Sequence, residues 1–388
     1  MKSDLSVADP LDPNSWWLDI APTFREPTGS YSTPAARWNA FLNQAALKTL
    51  LPWLRKEYIP RLHPWPEGAL MPTFWECCNG TAINNSQTRI VLIPSEAVDI
   101  DELRVPQEWV DIPNWVADFY LAVQVDVDGH RLRVWGYTTH KHLKECGEFD
   151  HSDRSYNLAE SKLLKNLNAV WVAREFEVQE VLRSQPMALP ALRKAEADHL
   201  LELLGTSELC NPRMEVSFAR WGALLEHGGW RKRLYEKRVR QADQWSVVDW
   251  LTQGMSAMAQ EVGWRAGSLQ LAGARGAAVA CAKGIDFPSG IGDFNRSLRI
   301  AEQIYTLQVI PEAENTYRFR LTGVEGYVPR SFTLRLLTED LRPFPHNEVT
   351  ALENTTELVV TVIVEPDEGL VWEIEPTPED YERETLKF

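Results

Sequence analysis

Residues 119–127, FYLAVQVDV, and 130–137, HRLRVWGY, alternate apolar and polar side chains on either side of Asp128-Gly129. Alternation at period two turns every second side chain to one face of a pleated strand, and Asp-Gly between two such runs is a strong hairpin signal. Upstream, residues 88–93, TRIVLI, are dense in β-branched side chains and predict a further short strand. A helix begins before them, where Thr33 offers a capping hydroxyl and Pro34 is pre-set for the first helical position. Trp38, Phe41, Leu42 and Ala45 recur at helical spacing as its buried stripe, and Pro52 predicts a kink or restart before Trp53, Leu54 and Tyr58. Residues 1–32, rich in Pro, Asp and Ser, read as an extended lead-in. Residues 33–182 therefore form a sheet-rich α+β domain with the first helix packed on a small curled sheet. The mixed pattern of 157–176 fits neither period.

Residues 183–190, RSQPMALP, read as a linker into a helical module over 190–265. Its helices are expected at 191–204, closed by Gly205, at 216–227, closed by Gly228-Gly229, and at 230–241. A fourth starts at Ser246 and carries Val247, Trp250, Leu251, Met255, Met258 and Val262 on one face. Residues 271–292, rich in Gly and Ala, read as an exposed loop. The runs 298–310, 317–321, 332–337, 358–364 and 370–374 are strands separated by turn residues, as in an antiparallel β-sandwich-like domain over 293–388. The fold class is α+β, with a sheet-rich N-terminal domain, a central helical module and a C-terminal sandwich.

The charge bounds the partners. The chain has 388 residues, with 40 Lys and Arg against 55 Asp and Glu, a net charge of -15. That excess repels phosphate backbones and anionic membranes, so direct nucleic-acid or membrane binding is not expected and a basic protein is. Five scattered cysteines, Cys77, Cys78, Cys146, Cys210 and Cys281, lack disulfide pairing spacing and fit reduced thiols in the cytoplasm. The start of the chain carries acids and prolines in place of a signal peptide's basic and apolar stretches. The 16 tryptophans read as core and domain-contact residues, each with an N–H that needs a partner when buried.

No motif carries chemistry strongly. His140, His142, Cys146 and His151 are the best metal candidates, since a cap at Thr139 places His142 and Cys146 one helical turn apart. Their spacing matches no standard zinc pattern, and a solvated loop is the preferred reading, with no metal or cofactor assigned. Vicinal Cys77-Cys78 read as half-buried strand thiols. Gly273 to Gly276 lacks the Gly-Lys-Ser/Thr ending of a phosphate loop. Neither a nucleophile elbow nor a His-Glu-x-x-His helix occurs, so no catalytic residue is assigned. One basic island stands out: Arg231, Lys232, Arg233, Lys237, Arg238 and Arg240, interleaved with Trp230, Leu234 and Tyr235. As an interaction site it would use Trp230, Arg231, Arg233, Tyr235, Lys237 and Arg238. Such runs more often pair with carboxylates on a solvated helix face, and that reading is favoured.

Long segments resemble a known group. They are 32–54, 102–115, 135–143 (WGYTTHKHL), 221–235 (WGALLEHGGWRKRLY), 332–344 and 369–388. Together they resemble the uncharacterised cyanobacterial family known as domain of unknown function eighteen-twenty-two (DUF1822). The resemblance implies a cytoplasmic protein without an assigned activity, encoded beside alternative sigma factors and caspase-like proteins. The function expected is a non-enzymatic regulator that binds another protein, with a sigma factor as the candidate. The alternative is an enzyme of unrecognised type whose pocket lies between the sheet domain and the helical module, and a structural subunit of a complex is a third reading.

Overall fold

The computed structural model describes residues 15–21, 24, 29–66, 68–85, 88–165, 181–240, 245–268, 291–313, 315–324, 326–379 and 381–388. The expectations for 271–290, including the Gly273 to Gly276 loop, and for 166–176 lie outside the described residues. Helices and strands fall into two compact units. One holds the described chain up to Leu192, with Ala197–Glu226 and the helical residues from Leu234; the other holds Arg193–Glu196, His227–Arg233 and the described chain from Trp245 to Phe388.

In the first unit α1 (Pro34–Glu57) begins as its cap signal requires, with Thr33 accepting the Ala36 N–H at 3.1 Å. Pro52 does not interrupt it. The proline sits on the exposed side while Leu50, Leu51, Trp53 and Leu54 are buried around it, so packing outweighs the missing hydrogen bond. Trp38 is exposed and stacks on Phe41 at 5.0 Å, and the buried stripe runs instead through Ala40, Leu42, Ala45 and Ala46.

The strands of this unit are β1 (Trp16–Asp19), β2 (His63–Trp65), β3 (Thr81–Asn84), β4 (Arg89–Ser95), β5 (Glu102–Pro106), β6 (Phe119–Asp126), β7 (Arg131–Thr139), β8 (Glu148–Asp150) and β9 (Ser155–Ala159). Six of them form a sheet in the order β1-β7-β6-β4-β3-β2, and β5-β9-β8 form a second. Helix α1 packs against the first sheet, chiefly on β4. The quoted hairpin is β6 and β7, but Asp126 pairs with Arg131, so its turn has four residues. Asp126 rather than Asp128 organises that turn, accepting the Gly129 N–H at 2.8 Å and the Arg131 Nε at 2.9 Å.

Short helices α2 (Met71–Trp75), α3 (Gln107–Asp111) and α4 (His140–Cys146) join these strands. Cys77 and Cys78 are buried in the turn between α2 and β3, not on a strand. That turn is held from α1: Asn43 donates to Asn79 Oδ1 at 2.8 Å and accepts from Gly80 N at 3.1 Å and Thr81 Oγ1 at 2.8 Å. Gly80 has φ 116°, and the Trp109 ring occupies the space a Cβ would need. The expected linker is neither helix nor strand, but it is fastened to this unit. Arg183 donates twice to Asp118 at 2.7 Å, and Ser184 N–H donates to His140 Nδ1 at 3.0 Å.

Helices α5 (Lys194–Leu204), α6 (Phe218–Glu226) and α7 (Gly228–Val239) follow. The Gly228-Gly229 pair opens α7 instead of closing the helix before it, and the reason is steric. Residues 382–385 cross these two positions so closely that a Cβ on Gly228 would collide with the Arg383 carbonyl and one on Gly229 with Thr385. The fourth expected helix is two, α8 (Val247–Gln253) and α9 (Ala257–Glu261), because Gly254 turns to φ 93° and Ser256 caps a new start. Val247, Trp250, Leu251 and Val262 are buried as expected.

The second unit carries two antiparallel sheets. One has β10 (Trp264–Ser268), β11 (Ile291–Ile300), β12 (Gln303–Ala313), β13 (Thr316–Gly323) and, beyond β14 (Thr333–Thr338) and β15 (Glu348–Thr350) in sequence, β16 (Glu357–Ile363). The other has the order β15-β14-β17-β18, with β17 (Gly369–Glu375) and β18 (Thr385–Lys387). The expected strand 298–310 is a hairpin, since Ala301 and Glu302 adopt φ 49° and 67° and reverse the chain. Inner faces alternate strictly, with Tyr305, Leu307 and Val309 buried between half-exposed neighbours.

The steric account of α7 gives a direct test. Alanine is the better helix former, yet Gly229→Ala should destabilise the fold by about 1–3 kcal/mol through overpacking against Thr385. Urea unfolding measures it, and an unchanged or raised midpoint would contradict the close crossing.

Candidate functional site: the basic helix and its glutamates

Helix α7 reads GGWRKRLYEKRV, and nearly every side chain on it is buried or half-buried. An unpaired guanidinium withdrawn from water costs several kcal/mol, so each buried arginine must find a carboxylate. Arg231 is 1% exposed and donates to Glu382 at 2.8 Å. Arg233 donates to Glu339 at 2.6 Å, and the same carboxylate oxygen accepts the Trp230 indole N–H at 3.2 Å. Lys194 reaches the other Glu339 oxygen at 3.3 Å. Lys232 lies over the Trp245 ring.

Further along, Arg238 has the most complete set of partners. It donates to Glu76 Oε1 at 2.7 Å, to Ser32 Oγ at 2.9 Å and to the carbonyls of Leu204, Thr206 and Leu209 at 3.0 to 3.1 Å. These carbonyls lie at and beyond the end of α5, where unpaired acceptors remain. Tyr235 is buried and donates to the Ser30 carbonyl at 2.9 Å. Lys237 is half-exposed and pairs with Glu202 at 2.5 Å, and Arg240 is exposed. Of the six interaction candidates, Trp230, Arg231, Tyr235 and Arg238 are thus buried, with Arg233 and Lys237 partly open.

The pattern recurs off the helix. Glu108, fully buried, accepts two hydrogen bonds from Arg213 at 3.0 and 2.6 Å and the Trp221 indole N–H at 2.7 Å. Glu384 accepts Arg296 and the indoles of Trp264 at 3.2 Å and Trp372 at 3.3 Å. Sequence reasoning did not single out any of these glutamates. Cations at i±3 or i±4, such as Arg104 before Glu108 and Lys387 after Glu384, are not the arginines that pair with them, and each pairing arginine arrives from a remote segment.

The metal candidates are distributed differently. His140 is buried at the start of α4, donating Nε2–H to the Val110 carbonyl at 2.8 Å and accepting at Nδ1 from Ser184. His142 Nε2 faces the Lys162 carbonyl at 3.0 Å, while His151 is exposed against Phe149. Cys146 ends α4. Among the described residues no group of three or more His, Cys, Asp or Glu is placed to hold a metal ion. Beside α4, Lys144 donates to Asp111 at 2.9 Å and to Tyr156 at 2.6 Å, and Tyr156 donates to Asp111 at 2.9 Å. Burial lowers the Lys144 ammonium, but those two hydrogen bonds outweigh it, and its pKa is raised. Burial raises the Tyr156 phenol. Both stay protonated at neutral pH and act as donors, not bases.

The family model described as Protein of unknown function (DUF1822) matches residues 25–387, so the chain belongs to that family. No curated protein and no solved structure matches it. Among the described residues no helix is long and apolar enough to cross a membrane.

Two buried histidines make this arrangement sensitive to acid. His227 stacks on Trp230 at 4.0 Å, donates Nε2–H to the Glu339 carbonyl at 2.9 Å and accepts the Trp230 N–H at Nδ1. Burial, then the cations Arg383 and Arg231, push its pKa down to about 3. Burial lowers His140 as well. The folded state then binds fewer protons than the unfolded one, so this stability is complete above about pH 6.5 and is lost as pH falls toward 3. At pH 5 His227 alone should cost about 2 kcal/mol relative to pH 7. Thermal melts should fall over that range and fall less steeply in His227→Gln. A melting temperature that is flat from pH 7 to pH 5 would contradict the assignment.

Proposed function

As a member of a family whose description names no activity, the chain is read from its own chemistry, and we propose that it is a non-enzymatic cytoplasmic regulator that binds a basic surface of another protein. A sigma factor of the same signalling cassette is the specific partner proposed. The observation that carries this reading is the direction of the basic island. Arg231 and Arg238 are each 1% exposed in the side chain and bonded to Glu382 and Glu76, so the strongest cationic run in the chain faces inward. Each of these arginines is cancelled by its own buried glutamate, so the excess of 55 acidic over 40 basic side chains is carried by the rest of the chain. Such an excess attracts cationic proteins at long range and repels nucleic acid.

The mechanism follows from the charge. DNA-binding segments are basic, and an acidic protein that covers one competes directly with promoter DNA. Binding of sigma factors from the same genome, measured by calorimetry at two salt concentrations, should weaken as salt rises while a bound fraction survives. Deleting the gene should change transcription from the promoters those factors serve. No binding at either salt concentration, together with unchanged transcription, would remove the proposal.

A further inference from the structure

Sheet edges are where a β protein is open to another chain, and the edges of this molecule are treated unequally. In the first sheet, β1 has four residues and β2 has three, one of them Pro64. In the second, β5 has the charged Glu102 and Arg104 and ends in Pro106, and β8 has three residues. In the second unit, β10 is bulged at Gly267/Ser268 and β15 has three residues. The short β18 is bridged by Ser246 and by the Lys387 N–H to the Trp245 carbonyl. Each is short, bulged, charged, proline-bearing or covered, which are the devices that keep edges from pairing.

Strand β16 is longer than each of these and has neither a bulge nor a proline, though β14 and β15 pack close by. ELVVTVI is seven residues long and pairs with β13 without a register shift, from Thr316↔Ile363 to Thr322↔Glu357. It stands last in its sheet, so its other side is unpaired with any described strand. Its inward side chains Leu358, Val360 and Val362 are buried, while Ile363 is 81% exposed on the outer face. It holds no Lys, Arg or Pro, and its single charge is Glu357 at one end.

The surrounding charge selects the occupant. Residues 343–382 contain eleven Asp and Glu and no Lys or Arg, of which Glu348, Glu373 and Glu375 are taken by Arg335 and the buried Glu382 by Arg231. Glu353 precedes the strand and Glu365, Asp367 and Glu368 follow it, while Glu357 lies 3.7 Å from Arg320 of β13. A second copy of the chain would bring the same charges to the same edge. We propose that β16 is a strand-addition site for an extended segment of a basic partner protein, with alternating β-branched residues at its centre and Lys or Arg at both ends. Main-chain hydrogen bonds to the free edge give affinity, Ile363 gives an apolar contact, and the flanking carboxylates select for basic ends. This rests on the reading of the chain as a binder of a basic protein, but it assigns the place of contact, which the calorimetry above does not report.

The probe is a synthetic nine-residue peptide, Lys-Lys-Val-Thr-Val-Thr-Val-Lys-Lys, titrated into the full chain with amide NMR and calorimetry as readouts. Stoichiometric binding with shifts centred on 357–363 is expected, lost when the four lysines are replaced by glutamate. Ile363→Lys, at an exposed position, should leave the melting temperature unchanged and weaken binding at least about tenfold. Absence of binding, shifts centred elsewhere, or Ile363→Lys binding like the parent would overturn the assignment even if a sigma factor binds. A dimer in sedimentation that Ile363→Lys dissociates would overturn it too, giving the edge to a second copy.

Discussion

A carboxylate taken out of water needs a cation and enough N–H or O–H donors to replace its hydration shell, and without them it cannot remain charged inside a protein. Among the described residues six glutamates are buried, and five of them are met by an arginine: Glu76 by Arg238, Glu108 by Arg213, Glu339 by Arg233, Glu382 by Arg231 and Glu384 by Arg296. The requirement reaches beyond the pairs. Trp221, Trp230, Trp264 and Trp372 each give an indole N–H to one of these carboxylates, which ties part of the large tryptophan content to the glutamates it hydrates in place of water.

The same constraint shapes the chain locally. Helix α7 can be nearly all-round buried despite its basic sequence because its arginines are matched. Gly228 and Gly229 open it because residues 382–385, which carry Glu382 and Glu384, must pass close by. Such pairs contribute little net stability compared with an apolar core of the same volume, but they punish any arrangement that separates the partners. They therefore act on uniqueness of the fold more than on its strength. His227 shares this environment, and its neutral ring is a consequence of burial beside Arg383 and Arg231.

What could be read from the sequence was the local signal. The Thr33 cap, the β6–β7 hairpin, β4, β13, β14, β16 and β17 all follow from capping chemistry and alternation within a few residues. Two of the misreadings come from tertiary packing acting against a local rule. Pro52 stays in a helix because Trp53 and Leu54 are buried beside it, and Gly228-Gly229 serves a close crossing instead of a helix end. The Ala301-Glu302 turn carries none of the residues that usually mark positive φ. Of the site, the basic island was visible but its direction was not. A lysine- and arginine-rich helix looks the same whether its partners are water or glutamates more than a hundred residues away, as Glu339, Glu382 and Glu76 are from theirs.

The central claim is that the arginines of α7 are held by buried glutamates. It is tested most directly by a double-mutant cycle on Glu76 and Arg238, with Glu76→Gln, Arg238→Met and the double variant compared by urea unfolding. Each single change should cost about 3–5 kcal/mol because it strands a buried charge, and the double variant should cost far less than their sum. Single changes below about 1 kcal/mol that simply add would contradict it, since that is the behaviour of a solvated surface pair.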